Sequence, residues 1–158
     1  MKSHNLSKTD ISEVLDHLTK QWHYEFSRSK NLIMHELEDD ASLITGDSLA
    51  AIRLGDTYIP LLSEIGLLEK FPKVVVDSGA IKFVCNGANV MRPGIREFTK
   101  FQKNDIICVV EEKHGKFIAV GIALVSSDEL DQMSKGEVVK NLHYISDKYW
   151  ESAKLIKK

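Results

Sequence analysis

The sequence has little cysteine, little proline and no long apolar run. Only Cys85 and Cys108 occur in 158 residues, each inside an apolar segment, FVCNG and IICVV. Two thiols in a chain of this size argue against a disulfide scaffold and read as small buried hydrophobes. The longest apolar run is Phe117 to Val125, far short of the ~20 residues of a membrane-spanning helix. The opening MKSHNLSKTD has no apolar core of the kind export requires. The expectation is a soluble, cytoplasmic chain without membrane contact. Catalytic signatures are missing as well: no HExxH, GxSxG, P-loop or CxxC occurs. The six histidines show no paired ligand spacing. Asp39-Asp40, Asp77 and Asp105 read as turn or cap acceptors. No catalytic residue, metal or cofactor is expected. An excess of one charge is absent too: 21 Lys+Arg against 23 Asp+Glu gives −2. That total argues against a uniformly basic nucleic-acid binder.

What is present is the composition of a globular protein, 43% hydrophobic and 28% charged. Ile11, Val14, Leu15, Leu18 and Trp22 recur at helical spacing, with Ser7 and Asp10 placed as a cap. One amphipathic helix is expected over 7–22. Residues 31–37 alternate weakly, as a strand does. In 42–62 the turn signals Gly46-Asp47-Ser48 and Gly55-Asp56 separate short strands, and Pro60 argues against a central position for the last. A short helix is expected over 63–70. Phe71-Pro72 marks a boundary, so residues 1–71 form a small α+β domain and 72–158 a second one.

The second half opens on the β-branched run VVV, followed by the short, helix-like SGAIKFVCNG with Gly87 at its end. DIICVV and FIAVGIALV read as strands joined by a hairpin at Lys113–Lys116, and EVVKNLHYI as another. Both parities of FIAVGIALV are apolar, so that strand is covered on both faces. Its small column Ala119, Gly121, Ala123 permits close approach of a neighbouring backbone. DKYWESAKLI closes the chain as a helix anchored by Tyr149 and Trp150. The fold class is α+β, with the second domain a small mixed β-barrel.

Split at residue 71, the total of −2 resolves into −5 and +3. The surplus is densest at 72–103, where Lys73, Lys82, Arg92, Arg96, Lys100 and Lys103 face only Asp77 and Glu97. A polyanion is drawn to this segment; charge alone leaves a solvated surface without a partner as the alternative.

The run VVVDSGAIKFVCNGANVMRPGI, residues 74–95, resembles the opening of a PUA domain, the module named for pseudouridine synthases and archaeosine transglycosylases. NDIICVV, KFIAVGIALVSSDEL and KGEVVKNLHYISDKYW resemble its later strands, so the likeness covers about residues 72–152. The two blocks resemble those of the malignant-T-cell-amplified-sequence proteins, their archaeal counterparts and the ligatin-type translation factors. In those families a small α+β domain precedes the PUA domain, matching the first 70 residues in order and size.

The resemblance implies a pseudobarrel that binds RNA through the Gly-Ala turn, the short helix after it, the next strand and a late strand. On this chain those elements carry Ser78, Gly79, Ala80, Lys82, Asn86, Gly87, Asn89, Arg92 and Gly94, with Lys140, His143 and Tyr144 from the late strand. Lys82 and Arg92 supply charge, Arg with a bidentate clamp for phosphate. Tyr144 supplies a stacking ring. Gly79 and Gly87 let a phosphate approach the backbone, or serve turn geometry alone. Phe83 sits on the apolar side with Ile81 and Val84, which assigns it to the core. His143 and Tyr144 are neighbours on one strand, so only one faces outward.

The implied function is non-catalytic RNA binding in translation, on the small ribosomal subunit or the tRNA acceptor end. The alternative is an RNA-recognition accessory for a tRNA- or rRNA-modifying enzyme acting in trans. The acidic first domain offers a surface for a protein partner in either case.

Overall fold

The computed structural model describes residues 1–26 and 31–156. The chain begins with β1 (Ser3–Asn5) and α1 (Lys8–Trp22). The Ser7 hydroxyl caps α1 by accepting the Asp10 N–H at 3.1 Å, and the helix ends at His23, whose φ is 54°. One stripe, Ile11, Val14, Leu18 and Trp22, is buried. The helix is pinned across β5 (Thr57–Pro60). The Trp22 indole donates to the Tyr58 carbonyl at 2.7 Å, and the Gln21 side chain accepts from the Tyr58 N–H at 2.8 Å.

Between them run β2 (Ile33–Glu36), β3 (Ala41–Gly46) and β4 (Leu49–Leu54). The five strands form an antiparallel meander in the order β1-β2-β3-β4-β5. Asp47-Ser48 and Gly55-Asp56 are its two-residue turns. Pro60 closes the edge strand β5, where a missing N–H costs no interior hydrogen bond. The one-turn helix α2 (Ile65–Leu68) follows.

The second sheet contains β6 (Lys73–Val76), β7 (Val90–Met91), β8 (Ile95–Phe98), β9 (Ile106–Glu111), β10 (Phe117–Ala123) and β11 (Glu137–Tyr144). Their order is β7-β11-β10-β9-β6-β8, with β6 and β9 parallel. The outermost strands β7 and β8 are joined only by the 3-10 turn Arg92–Gly94. A connection that short brings the two edges together, so the sheet curls into a nearly closed pseudobarrel. Helices α3 (Ile81–Val84), α4 (Ser127–Gln132) and α5 (Lys148–Lys154) decorate it.

Two cores result. Inside the barrel lie Val74, Val76, Ile107, Val109, Ala119 and Val138 among others. The other core fills the space between the sheets: Ile106, Cys108, Val110 and Val120 pack with Leu62, Leu68, Phe71 and the stripe of α1. Strand β9 therefore alternates, Ile106, Cys108 and Val110 outward and Ile107 and Val109 inward, and is apolar on both faces. Each such side chain, once buried, contributes roughly 1.5–3 kcal/mol. The last helix crosses back onto the first sheet, where Trp150, Ala153 and Ile156 pack against the inter-sheet core.

Strand β10 departs from strict alternation. Phe117 faces outward with Val120, whereas Ile118 joins Ala119 inside. The register with β9 shifts between Phe117 and Ala119, and a bulge of this kind flips the side-chain parity. The small column does admit a backbone: a Cβ at Gly121 would overlap the Lys140 carbonyl oxygen and lie 2.8 Å from Val139 Cγ1. Four elements, β1, β7, β8 and α4, are not among those expected from the local sequence pattern. Strand β8 is a short edge strand with exposed Arg96 and Glu97. Helix α4 is capped by the Ser126 hydroxyl and buries only Ser127 and Leu130.

Candidate nucleic-acid interface

Strand β6 ends at Asp77, whose carboxylate accepts the Ala80 N–H at 3.0 Å and starts the 3-10 turn Ser78–Ala80. Helix α3 continues from it for a single turn. It is stopped by Gly87, where φ is 96°, with hydrogen bonds from Gly87 N–H to the Val84 carbonyl and from Ala88 N–H to the Phe83 carbonyl, both 3.0 Å. The side of Gly87 that a Cβ would occupy faces the Tyr144 ring at 3.3 Å. The segment after the helix is held by Asn141 on β11. Its amide donates to the Val84 and Ala88 carbonyls at 2.9 and 3.0 Å, and its N–H donates to Asn89 Oδ1 at 3.0 Å.

These contacts shape an open groove of about 410 Å3 between the turn, α3 and the β7–β8 connection. Gly79, Ala80, Asn89 and Gly94 line it, so the structure brings these four predicted residues together. Phe83, Met91 and Pro93 line it as well. Phe83 is 58% exposed and Met91 46%, large apolar side chains left on the surface of one concave site.

Phe83 thus corrects the assignment to the core. A one-turn helix cannot point both Phe83 and Val84 inward, and it is Val84 that is buried. The adjacency of the two was the available signal. The Lys82 ammonium stands 5.1 Å from the centre of the Phe83 ring.

The other expected residues divide. Ser78, Lys82, Asn86 and Lys140 are exposed and do not line the groove. Tyr144 and Gly87 are half-buried against each other. Arg92 is half-buried and turned inward: Nε donates to the Met133 carbonyl at 3.1 Å and one Nη to the Ile95 carbonyl at 3.2 Å. Its guanidinium ties the β7–β8 turn to the loop after α4, leaving three of its five N–H donors for other partners.

His143 is not at the surface at all. It is 0% exposed, with its ring bonded to Leu62 and Asp147. On β11 it takes the inward position and Tyr144 the outer one, so His143 leaves the contact set. Burial pushes the Asp147 carboxyl up, but the His143 ring and the N–H groups of Trp150 and Tyr144 together hold it below the ordinary aspartate value.

The basic segment is only partly free. Lys73 donates to the Glu69 and Phe71 carbonyls, and Arg96 pairs with Asp77 and Glu112, each at 3.7 Å. Lys82, Lys100 and Lys103 are exposed and have no carboxylate within 4.0 Å among the described residues.

The PUA domain model matches residues 72–145. An uncharacterised protein of Methanocaldococcus jannaschii is 38% identical over 156 residues, covering 94% of this chain and 95% of its own. A hypothetical protein of Pyrococcus horikoshii has the same architecture, with TM-score 0.80, 30% identity, and coverage of 96% of this chain and 99% of its own. The chain belongs to the PUA-domain proteins. Malignant T-cell-amplified sequence 1-A of Xenopus laevis is 31% identical to this PUA-domain protein over 99 residues, 58% of this chain and 55% of the frog protein. Translation machinery-associated protein 20 of Eremothecium gossypii is 31% identical over 113 residues, 66% and 62% of the two chains. The PUA-domain protein thus spans little more than half the length of these two relatives. The PUA domain is an RNA-binding module, and among the described residues no helix is long and apolar enough to cross a membrane.

Proposed function

We propose that this protein binds RNA in the cytoplasm as a non-catalytic factor of translation, on the small ribosomal subunit or the acceptor end of tRNA. The observation that carries this reading is the exposed Phe83 ring above an apolar groove, with a lysine ammonium beside it. A base stacks on an open aromatic face, and the neighbouring cation takes its phosphate. Gly79, Ala80, Asn89 and Gly94 shape the groove floor, and Lys82 supplies the charge. The names of the relatives support a role in translation. Residues 72–158 form the RNA-binding domain in this reading. Residues 1–71 form a separate domain that presents an acidic surface to a protein partner. The test is co-sedimentation with isolated small ribosomal subunits and titration of labelled tRNA. Retention of both by Phe83→Ala and Lys82→Ala variants would move the site elsewhere. Co-purification with an RNA-modifying enzyme, without ribosomal association, would favour the accessory role.

A further inference from the structure

The hairpin tip between β9 and β10 reads EEKHGK, with as many acids as lysines. The fold separates them. Glu111 is buried, and its carboxylate lies beneath the turn, accepting the His114 N–H at 2.6 Å, the Lys116 N–H at 3.1 Å and the Lys113 N–H at 3.2 Å. Those backbone donors, the Lys116 N–H first, hold it below the ordinary glutamate value against the opposing effect of burial. Glu112 turns to Arg96, 3.7 Å away. Lys113, His114 and Lys116 are left exposed, and neither lysine has a carboxylate within 4.0 Å among the described residues. The acids are directed into the protein or onto a partner, and the cations point to solvent on a turn whose backbone is fixed from below.

The tip is next to the candidate interface. Helix α3 packs on β10, the strand that leaves the tip. Burial raises the Cys85 thiol, and the Lys116 ammonium is close enough to oppose that rise. The Glu112 N–H donates to the Val76 carbonyl at 2.9 Å, and Arg96 pairs with both Asp77 and Glu112, so the tip stands beside the Ser78–Ala80 turn that opens α3, the helix of Lys82 and Phe83. We propose that Lys113 and Lys116 form a second phosphate contact, carrying a bound RNA strand past the groove, across α3 and onto the hairpin tip. The proposal rests on the RNA-binding reading above and lengthens its footprint.

The experiment is a salt titration of binding to fluorescein-labelled unfractionated tRNA, read by anisotropy between about 50 and about 200 mM salt. Each phosphate contact steepens the plot of log affinity against log salt by ~0.7 to ~0.9. The full chain carrying Lys113→Ala and Lys116→Ala is expected to flatten the plot by roughly 1 to 2 units and to bind several-fold more weakly at the lower salt. The matched control, Lys8→Ala with Lys20→Ala on α1, is expected to leave the slope unchanged. An unchanged slope in the hairpin variant overturns the proposal, as does equal flattening in the control, which would report diffuse charge alone. If the unaltered protein shows no salt-dependent binding, the RNA-binding reading itself fails. A slope retained by the hairpin variant but lost with Lys82→Ala removes only the hairpin contact.

Discussion

His143 accepts a hydrogen bond from the backbone N–H of Leu62 at 3.1 Å, joining the end of β11 to the segment that leaves the first sheet. Because the Leu62 group can only donate, His143 Nε2 is unprotonated and Nδ1 carries the hydrogen, donated to Asp147 at 2.8 Å. The same Asp147 oxygen accepts the Tyr144 N–H, and the other oxygen accepts the Trp150 N–H, which caps α5. One carboxylate thus orients the histidine, the outer tyrosine and the helix that closes over the first sheet.

Replacing His143 with Phe strands the Leu62 N–H in a buried site. The expected cost is about 1–3 kcal/mol, read as a lower midpoint in denaturant unfolding. The tautomer is checked separately by the nitrogen chemical shifts of the ring, which should report Nδ1–H. The opposite tautomer would remove the basis of this prediction.

Asp147 gives the fold an acid-sensitive element. Its folded value lies below the ordinary one, so the stability it contributes is present above the unfolded aspartate value. That stability is lost as pH falls through the depressed folded value. Unfolding midpoints measured through the acid range should fall for the parent protein, and more shallowly for Asp147→Asn.

Phe83→Ala removes an exposed ring, so stability should change by no more than about 0.5 kcal/mol. A stacked base is worth about 1–3 kcal/mol, so tRNA affinity should drop by roughly 5- to 150-fold. A loss of stability with unaltered binding would return Phe83 to the core.

Gly121→Ala places a methyl onto the Lys140 carbonyl oxygen, which belongs to the backbone and cannot turn aside. Overpacking of this kind costs about 1–3 kcal/mol or more, visible as a lower unfolding midpoint or as insoluble protein. Gly115→Ala, with open space around it but φ at 67°, should cost less.

The sequence is legible where a residue's role is local. Ser7, the apolar stripe of α1, the turns at Asp47-Ser48 and Gly55-Asp56, and Pro60 on an edge all act as their chemistry dictates. Gly121 is legible because a column of small residues on an apolar strand has few other uses. The parity of Phe117 was hidden, since a bulge depends on what the neighbouring strand offers. Arg92 was hidden for a related reason, and so was the choice between the adjacent Phe83 and Val84. On a one-turn helix and a three-residue turn no periodicity exists, and direction is set by partners distant in the chain, Met133 for Arg92. His143 was half-legible: only one of His143 and Tyr144 can face outward, but choosing between them requires Leu62 and Asp147.

The groove lies at the seam of the barrel. Met91, which precedes the turn that brings the two free edges of the sheet together, and Gly94, which ends it, both line the groove. A ligand seated there clasps the barrel where no strand-to-strand ladder closes it. Occupancy and resistance to opening then become one linked quantity, growing with ligand concentration relative to its dissociation constant. The amides of Val90 to Phe98 are where that clasp would register first, as slowed hydrogen exchange.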